Sequence, residues 1–222
     1  MKIGIIGAGQ IGGTLVRRFR QLGHEVTVSN SRSPETLTDL ANETGATAMW
    51  AKDAAADADL VIVSIPQKNV PDLAEGIVDA RKPGAPVIET NNYYPQQRDG
   101  ELAAIEDGQL ESAWVAEQIG APVYKVFNGI WWKHLLESGK PRSAPNRIAL
   151  PIAGENGPGR ELVHTIVDEL GFEPVDAGPI SESWRRQPGT PVYGKDFDAD
   201  NTRKALAEAS RERTAEWSAR TA

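Results

Sequence analysis

Short apolar runs alternate with segments of helical period through the first half of the chain. The runs at 3–6, 26–29, 60–65, 87–90 and 123–127 are rich in Val and Ile and bounded by Gly, Pro, Asp or Asn, as strands buried on both faces are. Between them, "GTLVRRFRQLG" has helical spacing and stops at Gly23, while "SPETLTDLANETG" offers Ser33 as an N-cap and Pro34 as the first helical residue. A weaker strand at 46–51 and a short helix from Asp53 complete a first half; "NVPDLAEGIVDARKPG" and "ESAWVAEQIG" supply the helices of a second. Strand and helix alternate, so the expected fold is α/β: a Rossmann-type doubly wound parallel sheet.

After Asn128 the texture changes. "GIWWKHLLESGKPRSAPNR" reads as an irregular connector, followed by a strand at 148–153, a helix at 158–170, a strand at 172–175, a Pro- and Gly-rich loop, and a polar C-terminal helix from 200 to 219. That helix has too little apolar surface to stand alone and must dock, on its own chain or on a second copy. The expected organisation is a nucleotide-binding core over 1–140 and a small C-terminal α/β extension over 141–222, the two also readable as a single domain.

The first apolar run leads into Gly7-Ala8-Gly9-Gln10-Ile11-Gly12, a G-x-G-x-x-G turn between a strand and a helix. In that context Gly7 permits the tight turn, Gly9 lets a pyrophosphate approach the backbone, and Gly12 lets helix and strand pack closely; the free amides of the helix start face the negative charge. The cofactor is then chosen at the end of the second strand. An acid there would bind a ribose 2′-hydroxyl, but the residues are Asn30, Ser31 and Arg32, whose guanidinium and hydroxyl suit a 2′-phosphate. NADP(H) is expected over NAD(H). The carboxyl ends of the central strands place Ser64, Ile65, Pro66 and Asn91 as nicotinamide neighbours. Asn92 stays open between a turn residue and a contact to the second reactant.

Composition narrows the chemistry. The chain has 222 residues and no cysteine, which excludes disulfides, thiolate nucleophiles and cysteine-bound metal, so redox work requires a bound cofactor; no metal site is expected. Net charge is −7, with Arg17, Arg18, Arg20, Arg185, Arg186, Arg211 and Arg213 dispersed among acids, so nucleic acid is a poor partner and solvated helix faces are the expected setting for these arginines. No stretch has the length of a membrane span and the N-terminus lacks the form of a signal peptide, so the expected location is cytoplasmic, away from membranes.

Side-chain catalysts are scarce. Ser64, Glu89 and His134 have no spacing that indicates a triad. His134, beside Trp131 and Trp132, is a weak candidate proton donor set against a structural reading; Tyr93 and Trp131 are open between covering a planar acceptor and anchoring loops.

The stretches "MKIGIIGAGQIGGTLVRRFRQLGHEVTVSNSR", "VIETNNYYPQQRDG", "KVFNGI" and "ALPIAGE…ELGFEPVDAGPISESWR" resemble the NADPH-dependent reductases of the deazaflavin coenzyme F420 and their bacterial relatives. The chain is also similar to the cytosolic NADPH-binding domain of the six-transmembrane metalloreductases, around Phe127, Asn128 and "GFEPVDAG". The resemblance implies NADP(H) on Gly7 to Gly12 with Ser31 and Arg32 at the 2′-phosphate, a flavin or deazaflavin in the cleft beside the C-terminal part near Asn92, Tyr93, Asn128 and Trp131, and a homodimer. The expected function is an NADP(H)-dependent oxidoreductase that passes hydride to a small-molecule electron acceptor. The alternatives are a non-catalytic NADP(H)-binding module and an NADP-dependent dehydrogenase of a small carbonyl or imine.

Overall fold

A computed structural model of the chain describes residues 1–220. Strands β1 (Lys2–Ile6), β2 (Glu25–Ser29), β3 (Thr47–Ala48), β4 (Leu60–Val63), β5 (Val87–Glu89) and β6 (Tyr124–Lys125) form one six-stranded sheet in the order β3-β2-β1-β4-β5-β6. Every pairing in it is parallel. This is the doubly wound order, with the reversal between β1 and β4. Side chains alternate between the sheet faces: Ile3, Ile5, Leu60 and Ile62 enter one buried cluster, whereas Ile6, Val61 and Val63 enter the other.

Helix α1 (Gln10–Gln21) begins directly after the glycine turn and buries Leu15, Val16 and Phe19 against the first cluster. Its last turn carries Arg18 and Arg20, favourable at the negative end of the helix dipole, and Gly23 takes the left-handed φ of 83° that reverses the chain into β2. The helix expected from Ser33 forms in two pieces. Pro34–Leu37 is a 3₁₀ turn without a side-chain cap from Ser33, and α2 (Thr38–Thr44) follows.

Two expected helices are absent. The segment from Asp53 is a 3₁₀ turn at Ala51–Asp53, and "NVPDLAEGIVDARKPG" is a 3₁₀ turn at Gln67–Asp72 followed by irregular turns. Pro71 lies inside that segment without an N–H to donate, and Gly76 takes a φ of 69°, so a continuous α-helix does not propagate. On the same face of the sheet, α3 (Ala103–Glu106) and α4 (Glu111–Ile119) pack Ile105, Trp114 and Val115 into the second cluster beside Val70, Ile77 and Val78 of that segment.

The connector after Asn128 contains α5 (Trp132–Glu137). Beyond it, β7 (Ala149–Ile152), α6 (Pro158–Glu169) and β8 (Glu173–Asp176) form a parallel pair with its crossover helix. Val163, Ile166 and Val167 of α6 join Leu15, Val16 and Phe19 of α1 in a single core, so the extension completes the sheet's first face. The two sheets also meet edge to edge: Lys125 and Ala153 exchange both backbone hydrogen bonds, at 2.8 and 3.2 Å.

The C-terminal helix is shorter than its polar pattern predicts. α7 (Ala199–Ala207), capped by Asp198, buries Thr202, Ala205 and Leu206 on its own chain. The chain then leaves the helix and straps back over the first sheet: Arg213 pairs with buried Glu111 at 2.7 Å, Trp217 lies against Tyr94, and Arg220 reaches Glu101 and Asp107. Arg186 departs furthest from the solvated setting expected of it, being 3% exposed.

Close approach is the main constraint on the sheet's second face. A Cβ on Gly4 would stand 2.2 Å from Ala54 O, a backbone atom that cannot give way cheaply. Gly4→Ala is expected to lower stability by ~1–3 kcal/mol or more through overpacking, read as a fall in the urea midpoint with an unchanged slope.

Candidate dinucleotide site

The glycine turn acts by volume as well as by conformation. Gly7 has a φ of 110°, and a Cβ there would lie 2.1 Å from Ser64 O; a Cβ on Gly12 would lie 2.0 Å from Gly7 O. Both glycines are filled against by protein. Gly9 differs, because a Cβ there would meet no atom within 4 Å. The open side of the turn is therefore at Gly9, directly before the amides of Gln10, Ile11 and Gly12, which have no acceptor inside α1.

From this turn a cleft of ≈ 870 Å³ runs along the carboxyl ends of β1, β2 and β4. Gly7, Ala8, Gly9, Asn30, Ser31, Arg32, Ser64, Ile65 and Pro66 all line it, so the structure brings together most of the residues expected to hold the cofactor. Asn30 fixes the loop at one end: its Oδ1 accepts the Arg32 N–H at 2.8 Å and its Nδ2 donates to Thr36 Oγ1 at 2.9 Å. The Ser31 and Arg32 side chains are left exposed beside that loop. Trp50, Lys52, Asn69, Asp72, Leu73 and Ile77 also line the cleft and were missed in the sequence, because they lie in the turns that replaced two expected helices or border them.

Asn91 sits behind the cleft. It is 3% exposed; its Oδ1 accepts the Ile65 N–H at 3.4 Å and its Nδ2 is buried without a partner among the described residues. An orphaned amide donor next to Ile65 and an open glycine turn are the features a dinucleotide's carboxamide and pyrophosphate would satisfy.

Below Asn91 lies a buried polar network. Glu89, at the end of β5 and fully buried, accepts from Lys125 Nζ at 2.9 Å, Ser112 Oγ at 2.6 Å and the Asn91 N–H at 2.7 Å. Lys125 Nζ, equally buried, also donates to Asn91 O at 2.9 Å. Arg186 arrives from the extension, donating Nη1 to Lys125 O at 2.8 Å and Nε to Asn128 Oδ1 at 3.0 Å. Burial pushes its guanidinium down to about 9, while Glu89 works in the opposite direction, so it stays charged at neutral pH.

The residues expected at the second reactant are tied up internally. Asn92 Nδ2 donates to Asn128 O at 2.8 Å, and Asn128 Nδ2 donates to Asn92 Oδ1 at 3.0 Å and to Arg186 O at 2.8 Å. Tyr93 is a core residue, 1% exposed, and does not face the cleft; its hydroxyl donates to Gly100 O at 2.9 Å, accepts the Leu102 N–H at 3.1 Å, and is pushed up to about 12 by burial. Phe127, at a φ of 66°, delivers Asn128 into this knot. Trp131 is 51% exposed and stacks edge-on with Trp132 and His134, away from the cleft lining. His134 Nδ1 pairs with Asp196 at 2.5 Å, Ser64 Oγ accepts from Thr90 Oγ1, and Glu89 is held by Lys125, so these three groups have separate partners.

The family described as NADP oxidoreductase, coenzyme F420-dependent, matches residues 2–93. The match covers the first sheet's opening strands and less than half of the chain. The family is one of NAD(P)-dependent oxidoreductases, and the matched segment contains the glycine turn, the Asn30–Arg32 loop and Asn91. The curated Escherichia coli (strain K12) protein YjhV is 38% identical over 66 residues, which is 30% of this chain and 48% of that relative, so the match spans about half of YjhV. Among solved structures, SMa0349 from Sinorhizobium meliloti is 28% identical, with a TM-score of 0.74 over 89% of this chain and 95% of that one. A structure from Arthrobacter sp. FB24 named for an F420-dependent NADP reductase has 20% identity and a TM-score of 0.65 over 82% of this chain and 87% of its own, a likeness of fold. An imine reductase from Pseudomonas sp. shares the fold at 18% identity and a TM-score of 0.55, over 80% of this chain and 55% of its own.

Removing one partner of the buried pair isolates what it does beneath the cleft. Lys125→Met leaves the Glu89 carboxylate buried without its counter-ion and is expected to cost about 3–5 kcal/mol in denaturant unfolding. The double change Glu89→Gln/Lys125→Met removes both charges and is expected to recover a large part of that loss.

Proposed function

We propose that the chain is an NADP(H)-dependent oxidoreductase that exchanges a hydride between the nicotinamide and a small acceptor. The observation that carries this reading is the cleft itself: an open glycine turn at one point, Ser31 and Arg32 at the end of β2 where an acid would select NAD, and Ser64, Ile65 and Pro66 at the end of β4, with the Asn91 amide buried behind Ile65. Gly9 and the amides of Gln10 to Gly12 would hold the pyrophosphate, Ser31 and Arg32 the 2′-phosphate, and Asn91 with Ser64, Ile65 and Pro66 the nicotinamide. The cofactor supplies the hydride when bound. The chain's own part is to fix the ring's position and to wall one side with Ile65, Pro66, Leu73 and Ile77.

Among the described residues the cleft lining contains no His, Tyr or Glu; of its two ionisable groups besides Arg32, Lys52 stands by the end of β2 and Asp72 is exposed and accepts from Asn69 Nδ2 at 3.1 Å, so neither is a buried acid held for protonating a substrate. That favours an acceptor reduced by hydride with its proton drawn from solvent, and a flavin or deazaflavin meets that requirement. The family description points the same way. A carbonyl or imine substrate would call on a side-chain acid, and His134, the earlier candidate, is paired with Asp196 outside the cleft lining.

Stopped-flow mixing of the protein with NADPH and FMN, FAD, coenzyme F420, quinones or a cyclic imine tests the reading. Loss of the reduced-nicotinamide absorbance with a flavin or deazaflavin is the expected result. Tight NADPH binding with no turnover on any acceptor would replace it with the binding-module reading. Arg32→Ala is expected to raise the KM for NADPH about tenfold or more, the size of one lost charge-assisted bond, and to leave that for NADH unchanged.

A further inference from the structure

The adenosine end of the cleft is placed by sheet register. Val28 pairs with Ala48, and the next residue, Met49, donates its N–H to Val28 O at 2.9 Å, so Trp50 emerges at the carboxyl edge of the sheet beside the end of β2. The turn Ala51–Asp53 that follows is pinned from beneath. Thr27 Oγ1, buried in β2, donates to Ala54 O at 2.7 Å, and Gly4 on β1 makes room for that same oxygen. The turn is therefore fixed to the floor of the sheet by a buried hydrogen bond and a contact that only glycine allows.

Two side chains stand on it without an internal task. Trp50 is 52% exposed, a costly placement for the largest apolar side chain, and it lines the cleft. Lys52 is exposed, lines the same cleft, and has no ion-pair partner among the described residues. Across the cleft Arg32 is similarly free, its hydrogen bond to Asn30 using only the backbone N–H. A phosphomonoester carries a charge of roughly −1.5 to −2, more than one guanidinium neutralises. Two cations and one aromatic face, from two loops on neighbouring strands, match a 2′-phosphoadenosine group in charge and in shape.

We infer that Lys52 is a second 2′-phosphate contact beside Arg32 and that the Trp50 ring is the wall against which adenine lies. The inference rests on the NADP(H) reading. It makes cofactor preference a property of both loops: Arg32 and Lys52 select the phosphate, and Trp50 holds the base whichever cofactor carries it.

Calorimetric titration of the full chain with NADPH, NADH, 2′,5′-ADP and reduced nicotinamide mononucleotide separates these roles. Lys52→Ala is expected to weaken NADPH and 2′,5′-ADP about tenfold and to leave NADH unchanged. Trp50→Ala is expected to weaken NADPH, NADH and 2′,5′-ADP alike, by about fivefold or more, and to abolish most of the tryptophan quenching that 2′,5′-ADP causes; Trp50→Phe should restore affinity. The mononucleotide, which lacks adenosine, should bind all variants equally. NADPH and 2′,5′-ADP affinities unchanged by Lys52→Ala, or adenosine affinities unchanged by Trp50→Ala, would overturn the inference while leaving the NADP(H) reading intact. Equal affinity of the parent chain for NADPH and NADH would instead remove the cofactor assignment, and the role of Lys52 with it.

Discussion

The buried pair of Glu89 and Lys125 is the interaction on which the geometry of the site depends. Each charge lost its water on folding, a cost that their mutual attraction offsets only because nearly every remaining donor and acceptor is used. The arrangement is better understood as a positioning device than as a source of stability. Glu89 takes the Asn91 N–H and Lys125 takes the Asn91 carbonyl, so the peptide units on both sides of Asn91 are held by charged groups and its side chain has one direction left to point. An apolar pair of equal volume could fill the space but could not orient that amide.

The same lysine joins the two parts of the chain. Its backbone exchanges hydrogen bonds with Ala153 at the edge of the second sheet, and its carbonyl accepts Arg186 from the loop beyond β8. Arg186 then fixes Asn128, which fixes Asn92. A network that starts at a strand end in the core thus terminates in residues far along the chain. The other end of the cleft is fixed differently. There, Gly4, Gly7 and Gly12 set the distances by leaving out atoms, and the backbone carbonyls of Ala54, Ser64 and Gly7 occupy the vacated volume. Polar orientation governs the surroundings of Asn91, and steric closeness governs the glycine turn.

This division explains what could be read in advance. The glycine turn, the strand order and the Asn30–Arg32 loop follow from local pattern, since tight turns and buried strands leave marks in consecutive residues. The pairing of Glu89 with Lys125, and of both with Arg186, leaves none, because the partners are separated by long stretches of sequence and each alone looks like a surface charge. Tyr93 was open to a ligand role for the same reason: an aromatic in a loop signals its size and not its burial. The missing helix at 69–84 is more nearly legible, as Pro71 and Gly76 stand within it, but its apolar spacing outweighs them. Trp50 and Lys52 were overlooked because they were assigned to a strand end and the approach to a helix that does not form.

The filled rim also constrains how an acceptor can reach the proposed nicotinamide position. Asn92 and Asn128 satisfy one another, Tyr94 and Tyr193 meet hydroxyl to hydroxyl, and Arg213 with the C-terminal strap covers Glu111 and the Tyr93 ring. Seating a planar molecule there would require breaking several buried hydrogen bonds at once, each costing about 1–3 kcal/mol if its partners stay unsatisfied. The wall made by Ile65, Pro66, Leu73 and Ile77 asks for no such loss, because apolar side chains release water when a ring covers them. On the proposed reading the acceptor therefore approaches over that wall, and recognition there depends on a flat apolar face more than on hydrogen bonds. On that same reading such a face would discriminate poorly among planar rings, and selectivity would rest on the adenosine end, where charge can be read.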